Sequence, residues 1–187
     1  MTNEFKILFD IIRNQSEFDA YEAAKKIAKI KLSNGEAKKL SMLASEGNDI
    51  HNKEAAVYAI SWIENKSITL PVLFDILKNK DIHENIRGRA AEGIGIINPS
   101  RRFKIRSKID KILLSTLNDS SPTVRFWSCY AVGMLKLEAA IPILKELQEK
   151  DDSICPGWWY VSEEAEDAIS IIKDLDWKDR IPVDQRT

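Results

Sequence analysis

The clearest indication of the fold is the helical pattern Val124-Arg125-Phe126-Trp127-Ser128-Cys129-Tyr130-Ala131-Val132-Gly133-Met134-Leu135. A turn-forming segment, residues 118–123, precedes this stretch, and a second helical pattern begins at Glu138. Small residues stand at Ser128, Ala131 and Gly133, where two packed helices would touch, and apolar residues recur at helical spacing. We therefore expect a helix that packs closely against a neighbouring helix.

Weaker copies of this pattern occur on both sides of it. Aligned on the small-residue core, five copies begin near Asp19, Asn52, Ile86, Val124 and Val161, at steps of 33, 34, 38 and 37 residues. A period of this length with two helical patterns per copy is typical of an α-solenoid, in which stacking buries the apolar face of each helix pair. The sequence therefore predicts an all-α fold, a right-handed α-solenoid of about five antiparallel helix pairs.

The predicted domain is a single repeat domain over 1–175, with units at about 1–32, 33–66, 67–99, 100–136 and 137–175, followed by a tail at 176–187. The helices are expected at 3–13, 17–31, 36–45, 49–64, 70–79, 84–97, 103–117, 122–135, 138–149 and 163–175. Ser16 is expected to cap the second helix, Gly47 to end the third with a positive φ, and Pro71 to lie at the start of the fifth. The tail is expected to fray, with Trp177 docked on the last helix.

Composition narrows the class of protein. Hydrophobic residues make up 44% of the 187 positions and charged residues 30%, with only seven Gly, six Pro and a net charge of −1. Few turn-forming residues favour helices, and the near-zero charge does not favour nucleic acid as a partner. The apolar runs are far shorter than the roughly 20 residues that span a bilayer, and no signal peptide is recognisable. With only two cysteines, we expect a cytoplasmic protein with reduced thiols and no membrane partner.

The repeat copies resemble HEAT-repeat proteins, in the short form often called phycobiliprotein-lyase-type. That family's pattern is a turn Asp, then Val-Arg, then an alanine-rich helix. The fourth copy matches it at Asp119, Val124, Arg125, Ala131 and Gly133, and the third at Asp81, Ile86, Arg87, Ala90, Ala91 and Gly95. The resemblance implies ladders between neighbouring repeats, formed here by Asp81, Arg87, Asp119 and Arg125. It implies a fold rather than one activity, because such scaffolds carry many functions.

The second helix of each unit is expected to line a concave wall. In the fourth unit Trp127, Tyr130 and Met134 are spaced i, i+3, i+7 and form a stripe apart from the core positions. Aromatic residues with arginine are typical of protein-binding hot spots. The candidate partner-binding residues are Tyr58, Trp62, Arg89, Glu92, Trp127, Tyr130, Met134, Trp158, Trp159, Glu164 and Asp167. Two alternatives remain open: the rings fill a curved inner wall, and the tryptophan pair of residues 158 and 159 closes the last repeat.

The sequence predicts no catalytic, metal or cofactor site. His51 and His83 lie near helix starts in no ligand spacing, and neither a Gly-rich phosphate loop nor Cys-x-x-Cys occurs. Basic residues concentrate at 101–111, where a solvated face and a phosphate contact are both open interpretations.

The leading functional hypothesis is a non-catalytic module that grips another protein on its concave face, as a bacterial adaptor or as an immunity protein that neutralises a toxin. The first alternative, implied by resemblance, is a HEAT-like alkylpurine DNA glycosylase that holds a damaged base between aromatic rings and Glu92 or Asp167. The expected wall carries few cations, Lys25, Lys29 and Arg89, whereas DNA requires many. A bilin-lyase-like chaperone is a further alternative that rests on repeat resemblance alone.

Overall fold

The computed structural model describes residues 1–47 and 49–186. Within these residues the chain is helical, with no β-strand and an isolated antiparallel bridge between Ile154 and Tyr160. The described residues form ten α-helices: α1 (Asn3–Asn14), α2 (Glu17–Ile27), α3 (Asn34–Glu46), α4 (Ile50–Ile60), α5 (Lys66–Lys78), α6 (Glu84–Ile97), α7 (Arg106–Thr116), α8 (Pro122–Met134), α9 (Ile141–Lys150) and α10 (Val161–Ile172). Short 3₁₀ helices occur at Glu138–Ala140 and Val183–Gln185. The predicted all-α class is confirmed.

The chain divides into two compact units, Met1–Ile97 and Asn98–Thr187. The first contains α1 to α6, and the second contains α7 to α10 and the C-terminal residues. The division falls close to the predicted boundary between the third and fourth repeats. None of the helices in the described residues has both the length and the apolarity that crossing a bilayer requires.

In the first unit, consecutive helices pack as three pairs: α1 with α2, α3 with α4, and α5 with α6. The second helices α2, α4 and α6 pack side by side, and the first helices follow one another in the same order. Large apolar side chains from these helices, including Leu40, Ile60, Leu73 and Ile94, are fully buried. The stacking of helix pairs that the repeat pattern predicts is confirmed within this unit.

In the second unit, α8 packs against both α7 and α10, and α9 packs against α10. Val124, Phe126 and Val132 from the helical pattern of residues 124–135 are buried in the core of this unit. The buried Ser128 hydroxyl forms a hydrogen bond of 2.7 Å with Thr116 Oγ1 and so joins α8 to α7. The apolar side of this pattern is therefore the side that holds the unit together.

Glycine brings the second helices of neighbouring repeats into close contact in each unit. A Cβ on Gly93 of α6 would overlap the hydroxyl of Ser61, the residue that follows α4. A Cβ on Gly133 of α8 would lie 3.0 Å from Cα of Ala168 on α10. The close packing that the sequence predicts at Gly133 is confirmed, because a larger residue would leave no room for the facing helix.

Two local predictions about helix ends are wrong, for identifiable reasons. The fifth helix begins at Lys66, so Pro71 lies inside it rather than at its start. Thr69 and Leu70 are fully buried, and their burial keeps the turn before the proline helical. Gly47 ends α3 with φ −53°, not a positive φ, and its glycine is required because a Cβ would lie 2.7 Å from the carbonyl oxygen of Leu43.

Other helix ends agree with the sequence or differ by a few residues. The predicted cap at Ser16 is confirmed, since its hydroxyl accepts a hydrogen bond from the backbone amide of Asp19 at 3.3 Å. Both α2 and α4 end earlier than predicted, at Ile27 and Ile60. The last helix begins at Val161, two residues before the predicted start.

The expectation of a frayed tail is wrong for residues 176–186. Trp177 is 65% exposed and does not dock on the last helix. Arg180 lies on α10 instead, where it pairs with Asp167 at 2.5 Å. The reason is that α10 carries carboxylates, Glu163, Glu166 and Asp167, which pair with the cationic residues of the tail.

The close contact at Gly133 yields a prediction about stability. We expect Gly133→Ala to destabilise the protein by about 1–3 kcal/mol, because overpacking against Ala168 outweighs the roughly 1 kcal/mol gain in helix propensity. Gly35 is the matched control, since a Cβ there meets nothing within 4 Å. Gly35→Ala should stabilise α3 by up to about 1 kcal/mol. Urea unfolding measures both, and a Gly133→Ala protein as stable as Gly35→Ala would contradict the close contact.

Candidate functional site

Three aromatic rings form a row across the second helices of the first unit. Tyr21 on α2 contacts Tyr58 on α4, with ring centroids 5.0 Å apart, and Tyr58 contacts Trp62 at 6.2 Å. Tyr58 lies in the last turn of α4, and Trp62 follows in the turn just after that helix. The packing of α2 against α4 adds Tyr21 to them. We call Tyr21, Tyr58 and Trp62 the aromatic row.

Charged groups surround the aromatic row on α2 and α6. The Lys25 ammonium lies 4.9 Å from the ring centroid of Tyr21 and pairs with Glu22 at 2.8 Å. The Arg89 guanidinium lies 5.9 Å from the same centroid, within the range of a cation–π interaction. The row is therefore an apolar strip with cations at its α2 and α6 sides.

Arg89 also connects α6 to α4 through two carboxylates. It pairs with Glu92 on its own helix at 2.5 Å and with Glu54 on α4 at 3.3 Å. All three side chains are largely buried, and burial raises the pKa of Glu92 although the guanidinium opposes this shift. Arg89 and Glu92, both predicted to bind a partner, thus satisfy each other first and present little net charge.

Trp62 is the exposed member of the row. Its side chain is 48% exposed, whereas Tyr21 and Tyr58 are half-buried. It lies at the edge of a groove of about 680 Å³ formed by residues 27–32 and 34 on one side and 62–67 on the other. A large exposed apolar ring beside a groove is the feature of this unit best suited to contact a partner.

The second unit contains a larger group of rings, which we call the tryptophan cluster. Trp127 contacts Phe126, Tyr130 and Trp158 with centroid distances of 5.2, 5.8 and 5.0 Å. Trp158 contacts Trp159 at 5.3 Å. The loop after α9 thus folds its two indoles onto the helix that carries Trp127.

The tryptophan cluster corrects the expectation for Trp127. Its side chain is only 7% exposed, so the ring belongs to the interior of the unit and not to an open binding surface. Tyr130, Met134 and Trp159 are half-buried, and Trp158 is exposed at its edge. The physical reason is the loop 151–160, which covers Trp127 and whose path the repeat pattern does not contain.

Glu164 and Asp167 are also buried rather than open to a partner. Glu164 accepts a hydrogen bond from Nε1 of Trp159 at 2.9 Å. Burial raises the pKa of Glu164 to about 8, although the bond from Trp159 acts in the opposite direction. Asp167 pairs with Arg180 of the C-terminal residues. Both carboxyl groups therefore have partners within the unit, which corrects their assignment to a free surface.

Arg125 forms the contact between repeats that the family resemblance implies, with an acidic partner that the sequence analysis did not name. Its guanidinium pairs with both oxygens of Asp151, at 2.7 and 3.1 Å, and donates to the carbonyl oxygen of Asp119 at 2.8 Å. The Asp119 carboxylate accepts from the backbone amide of Ser121 at 3.0 Å. Burial opposes the effect, but Arg125 lowers the pKa of Asp151. Asp151 is the turn residue of the next repeat.

The third-repeat positions of the predicted ladder are placed differently. Asp81 is exposed in the turn before α6, where its backbone amide donates to Asn79 Oδ1 at 3.0 Å. Arg87 is buried on α6. A ladder through this pair remains a prediction.

Several residues at these sites were not found from the sequence. They are Tyr21, Glu54, Asp151 and Arg180. When the repeats are aligned on their small residues, Lys25 falls at the position of Tyr58. Tyr21, four residues before Lys25, was therefore not included in the predicted stripe. Asp151 could have been predicted from the sequence. It begins the turn Asp-Asp-Ser, at the place where earlier repeats have their turn aspartate. Within the described residues no group of three His, Cys, Asp or Glu side chains could hold a metal ion.

Comparison with known proteins places the chain among repeat proteins. A family model described as HEAT repeats matches residues 70–158. None of the curated proteins matches the sequence. Among solved structures, an engineered protein shares 18% identity, with a TM-score of 0.63 and coverage of 91% of this chain and 80% of that chain. Computationally designed armadillo repeat proteins for modular peptide recognition share 20% identity, with a TM-score of 0.53 and coverage of 88% and 80%.

A second engineered protein shares 19% identity with this chain, with a TM-score of 0.60 and coverage of 94% of this chain and 83% of that chain. At such identities the likeness concerns the fold alone. The family match and the solved structures together confirm the predicted resemblance to HEAT-repeat proteins and the repeat-solenoid class.

The exposure of the two tryptophans yields a prediction about stability. We expect Trp127→Ala to lower the free energy of unfolding by about 3–5 kcal/mol, as for other buried aromatic residues. Trp62→Ala should lower it by only about 1 kcal/mol, because half of the indole remains in water in the folded protein. Urea unfolding of both variants measures the difference. Equal losses would show that the Trp62 ring is also part of the core.

The raised pKa of Glu164 yields a prediction about pH. Between its ordinary pKa of 4.5 and about 8, folded Glu164 keeps a proton that the unfolded chain releases. The free energy of unfolding contributed by this group therefore falls as pH rises through that range. Glu164→Gln should remove this slope, so that the variant gains stability relative to the wild type at pH 8–9 compared with pH 5. Denaturant unfolding at both pH values is the measurement.

Glu36 provides a control of opposite sign in the first unit. Although burial opposes the shift, hydrogen bonds from Ser33 and Thr2 lower the pKa of Glu36 to about 2. Its contribution to stability is present above pH 4.5 and is lost as pH falls towards 2. Glu36→Gln should therefore destabilise the protein at neutral pH and lose that effect in acid. A Glu164→Gln protein whose stability follows the wild-type pH dependence would contradict the buried, protonated carboxyl.

Proposed function

We propose that this protein is a non-catalytic module that binds another protein, because a family model described as HEAT repeats matches residues 70–158 and the fold is similar to that of repeat scaffolds. The half-exposed Trp62, at the end of the aromatic row and at the edge of a groove, is the observation that carries the proposal. One of the similar folds is a set of designed armadillo repeat proteins made for modular peptide recognition. In this chain the proposed contact lies on the side of α2, α4 and α6, the helices beside the aromatic row.

The surface around Trp62 has the composition of a binding hot spot. Tryptophan, tyrosine and arginine dominate such sites, and their energy concentrates where a ring fills a partner's pocket. Tyr58 contacts the indole and is itself packed against Tyr21, so little side-chain freedom is lost when a partner binds. Arg89 and Glu92, already paired with each other, offer hydrogen bonds at the rim rather than net charge. Within a bacterial cell, an adaptor or a toxin-neutralising immunity protein is the role that such a module would have.

The glycosylase alternative receives less support. Its two candidate carboxylates, Glu92 and Asp167, each face an arginine, Arg89 and Arg180, at 2.5 Å. A carboxylate held in this way is poorly placed to stabilise a positive charge that develops on a bound nucleoside. We therefore propose protein binding and do not propose DNA repair.

The proposal is tested by affinity capture from the source cells with three forms of the chain. Wild type and Met42→Ala should retain a stoichiometric partner protein, and Trp62→Ala should lose it. Met42 is the matched control, because it is 56% exposed on α3, among the first helices of the same unit. A hot-spot tryptophan is worth about 2 kcal/mol or more, or about thirtyfold in Kd. Equal recovery with all three forms would contradict a binding site at Trp62.

A further inference from the structure

The groove beside Trp62 lies between two equivalent turns of successive repeats. One turn connects α2 to α3, the other connects α4 to α5, and residues of both line the groove. Asn65 Nδ2 of the second turn donates a hydrogen bond of 2.8 Å to Asn34 Oδ1 at the end of the first. The groove therefore has two walls, and the stacking of the repeats together with this bond holds them beside each other.

The charged side chains of the groove are mostly cationic. Lys29 and Lys31 belong to the first wall and Lys66 to the second, and Glu64 is the one acidic residue among the described residues that line the groove. All four side chains are exposed. Three positive charges and one negative charge give the lining a net charge of +2, whereas the whole chain carries −1. The groove is thus a local positive region on a nearly neutral protein.

The three lysines of the groove are not neutralised by the protein. Among the ion pairs of residues 1–47 and 49–97, none involves these ammonium groups. Nζ of Lys66 donates a hydrogen bond of 2.9 Å to the carbonyl oxygen of Ile97, which is a neutral acceptor. The hydrogen bond from Lys25, at 2.8 Å, is the main cause that lowers the pKa of Glu22, and the charge of Lys29 adds a smaller effect. An anionic group can therefore enter the groove without breaking an ion pair.

The position of these lysines distinguishes them from an ordinary solvated face. They line a concavity of about 680 Å³ that the exposed indole of Trp62 also lines. The half-buried side chains of Ile30 and Ile63 add apolar surface to the same lining. Binding sites of this size combine apolar surface with a few polar groups that orient the ligand. The groove thus offers apolar contact and positive charge side by side.

We propose that the groove binds an acidic segment of the partner protein, in which an apolar residue contacts Trp62 and carboxylates face the three lysines. The role of the groove rests on the proposed function, because the segment belongs to the partner that Trp62 contacts. A protein segment fits better than a nucleic acid, since three cations neutralise few phosphates and Glu64 repels them. Complementary charges raise the association rate and select the partner, while the apolar contact supplies most of the affinity.

Selection from a display library of short random peptides tests the proposal on the full chain. Wild type should enrich peptides that combine an apolar residue with an excess of Asp and Glu. Both Lys29→Glu/Lys31→Glu and Trp62→Ala should fail to enrich these peptides. Lys38→Glu/Lys39→Glu is the matched control and should enrich them as wild type does, because it changes the net charge equally at two exposed lysines of α3 outside the groove.

Fluorescence anisotropy of one enriched peptide then measures the contribution of the charges. An exposed ion pair changes Kd by up to about fivefold, so Lys29→Glu/Lys31→Glu, which also adds repulsion, should raise Kd by about tenfold or more. The control pair should change Kd by less than about twofold, and added salt should weaken binding to wild type more than to the groove variant. Should the groove variant fail to fold, Lys29→Gln/Lys31→Gln removes both charges and should raise Kd in the same direction.

The outcomes separate the acidic segment from protein binding in general. If wild type enriches peptides that require Trp62 but carry no excess of acidic residues, the groove does not select acidic segments, although binding at Trp62 stands. If wild type enriches no peptide, the acidic segment is overturned, and affinity capture with Trp62→Ala decides the proposed function separately. If a random-sequence RNA oligonucleotide binds wild type more tightly than any enriched peptide does, the groove is a nucleic-acid site and the proposal is overturned.

Discussion

The close approach of second helices from neighbouring repeats is the constraint on which the other features of each unit depend. Gly93 brings α6 against Ser61, and Gly133 brings α8 against Ala168. At such separations no side chain of ordinary size fits between the helices, so the large side chains of these helices lie to either side of the contact. In the first unit the aromatic row is one result, with Trp62 at its exposed end. In the second unit the tryptophan cluster is another.

Arginine side chains provide several of the long-range polar contacts within both units. Arg89 joins α6 to α4 through Glu54, Arg125 joins one turn to the next through Asp151, and Arg180 joins the C-terminal residues to α10. Each guanidinium bonds more than one acceptor, which suits it to partly buried positions where a lysine would leave oxygen atoms unsatisfied. Because the charges of Arg89, Glu92 and Glu54 are paired with one another in the first unit, the proposed recognition there rests on the apolar Trp62.

The repeat period and the helical segments were predictable, because both follow from the pattern of residues a few positions apart in the chain. The small residues of 124–135 correctly indicated a close helix contact, and Ser16 correctly indicated a cap. Rules based on a single residue failed at two positions. Pro71 lies inside α5, where the residues before it are buried. Gly47 has a negative φ, and a larger residue there would clash with the backbone of α3. The path of residues 176–186 was not predictable, since an irregular segment has no period and its position depends on charges of another element.

The order of residues alone was sufficient to establish which segments are helical, that they repeat, and where small side chains allow contact. The reason is that periodicity and side-chain size act over a few positions of the chain. The folded structure was needed to establish which rings are exposed and which charges are paired. Trp62 and Trp127 belong to the same stripe of the repeat, yet loop 151–160 covers Trp127 and leaves it 7% exposed, while Trp62 stands 48% exposed at a groove. Exposure depends on what a distant part of the chain places beside a residue, and that information is not local.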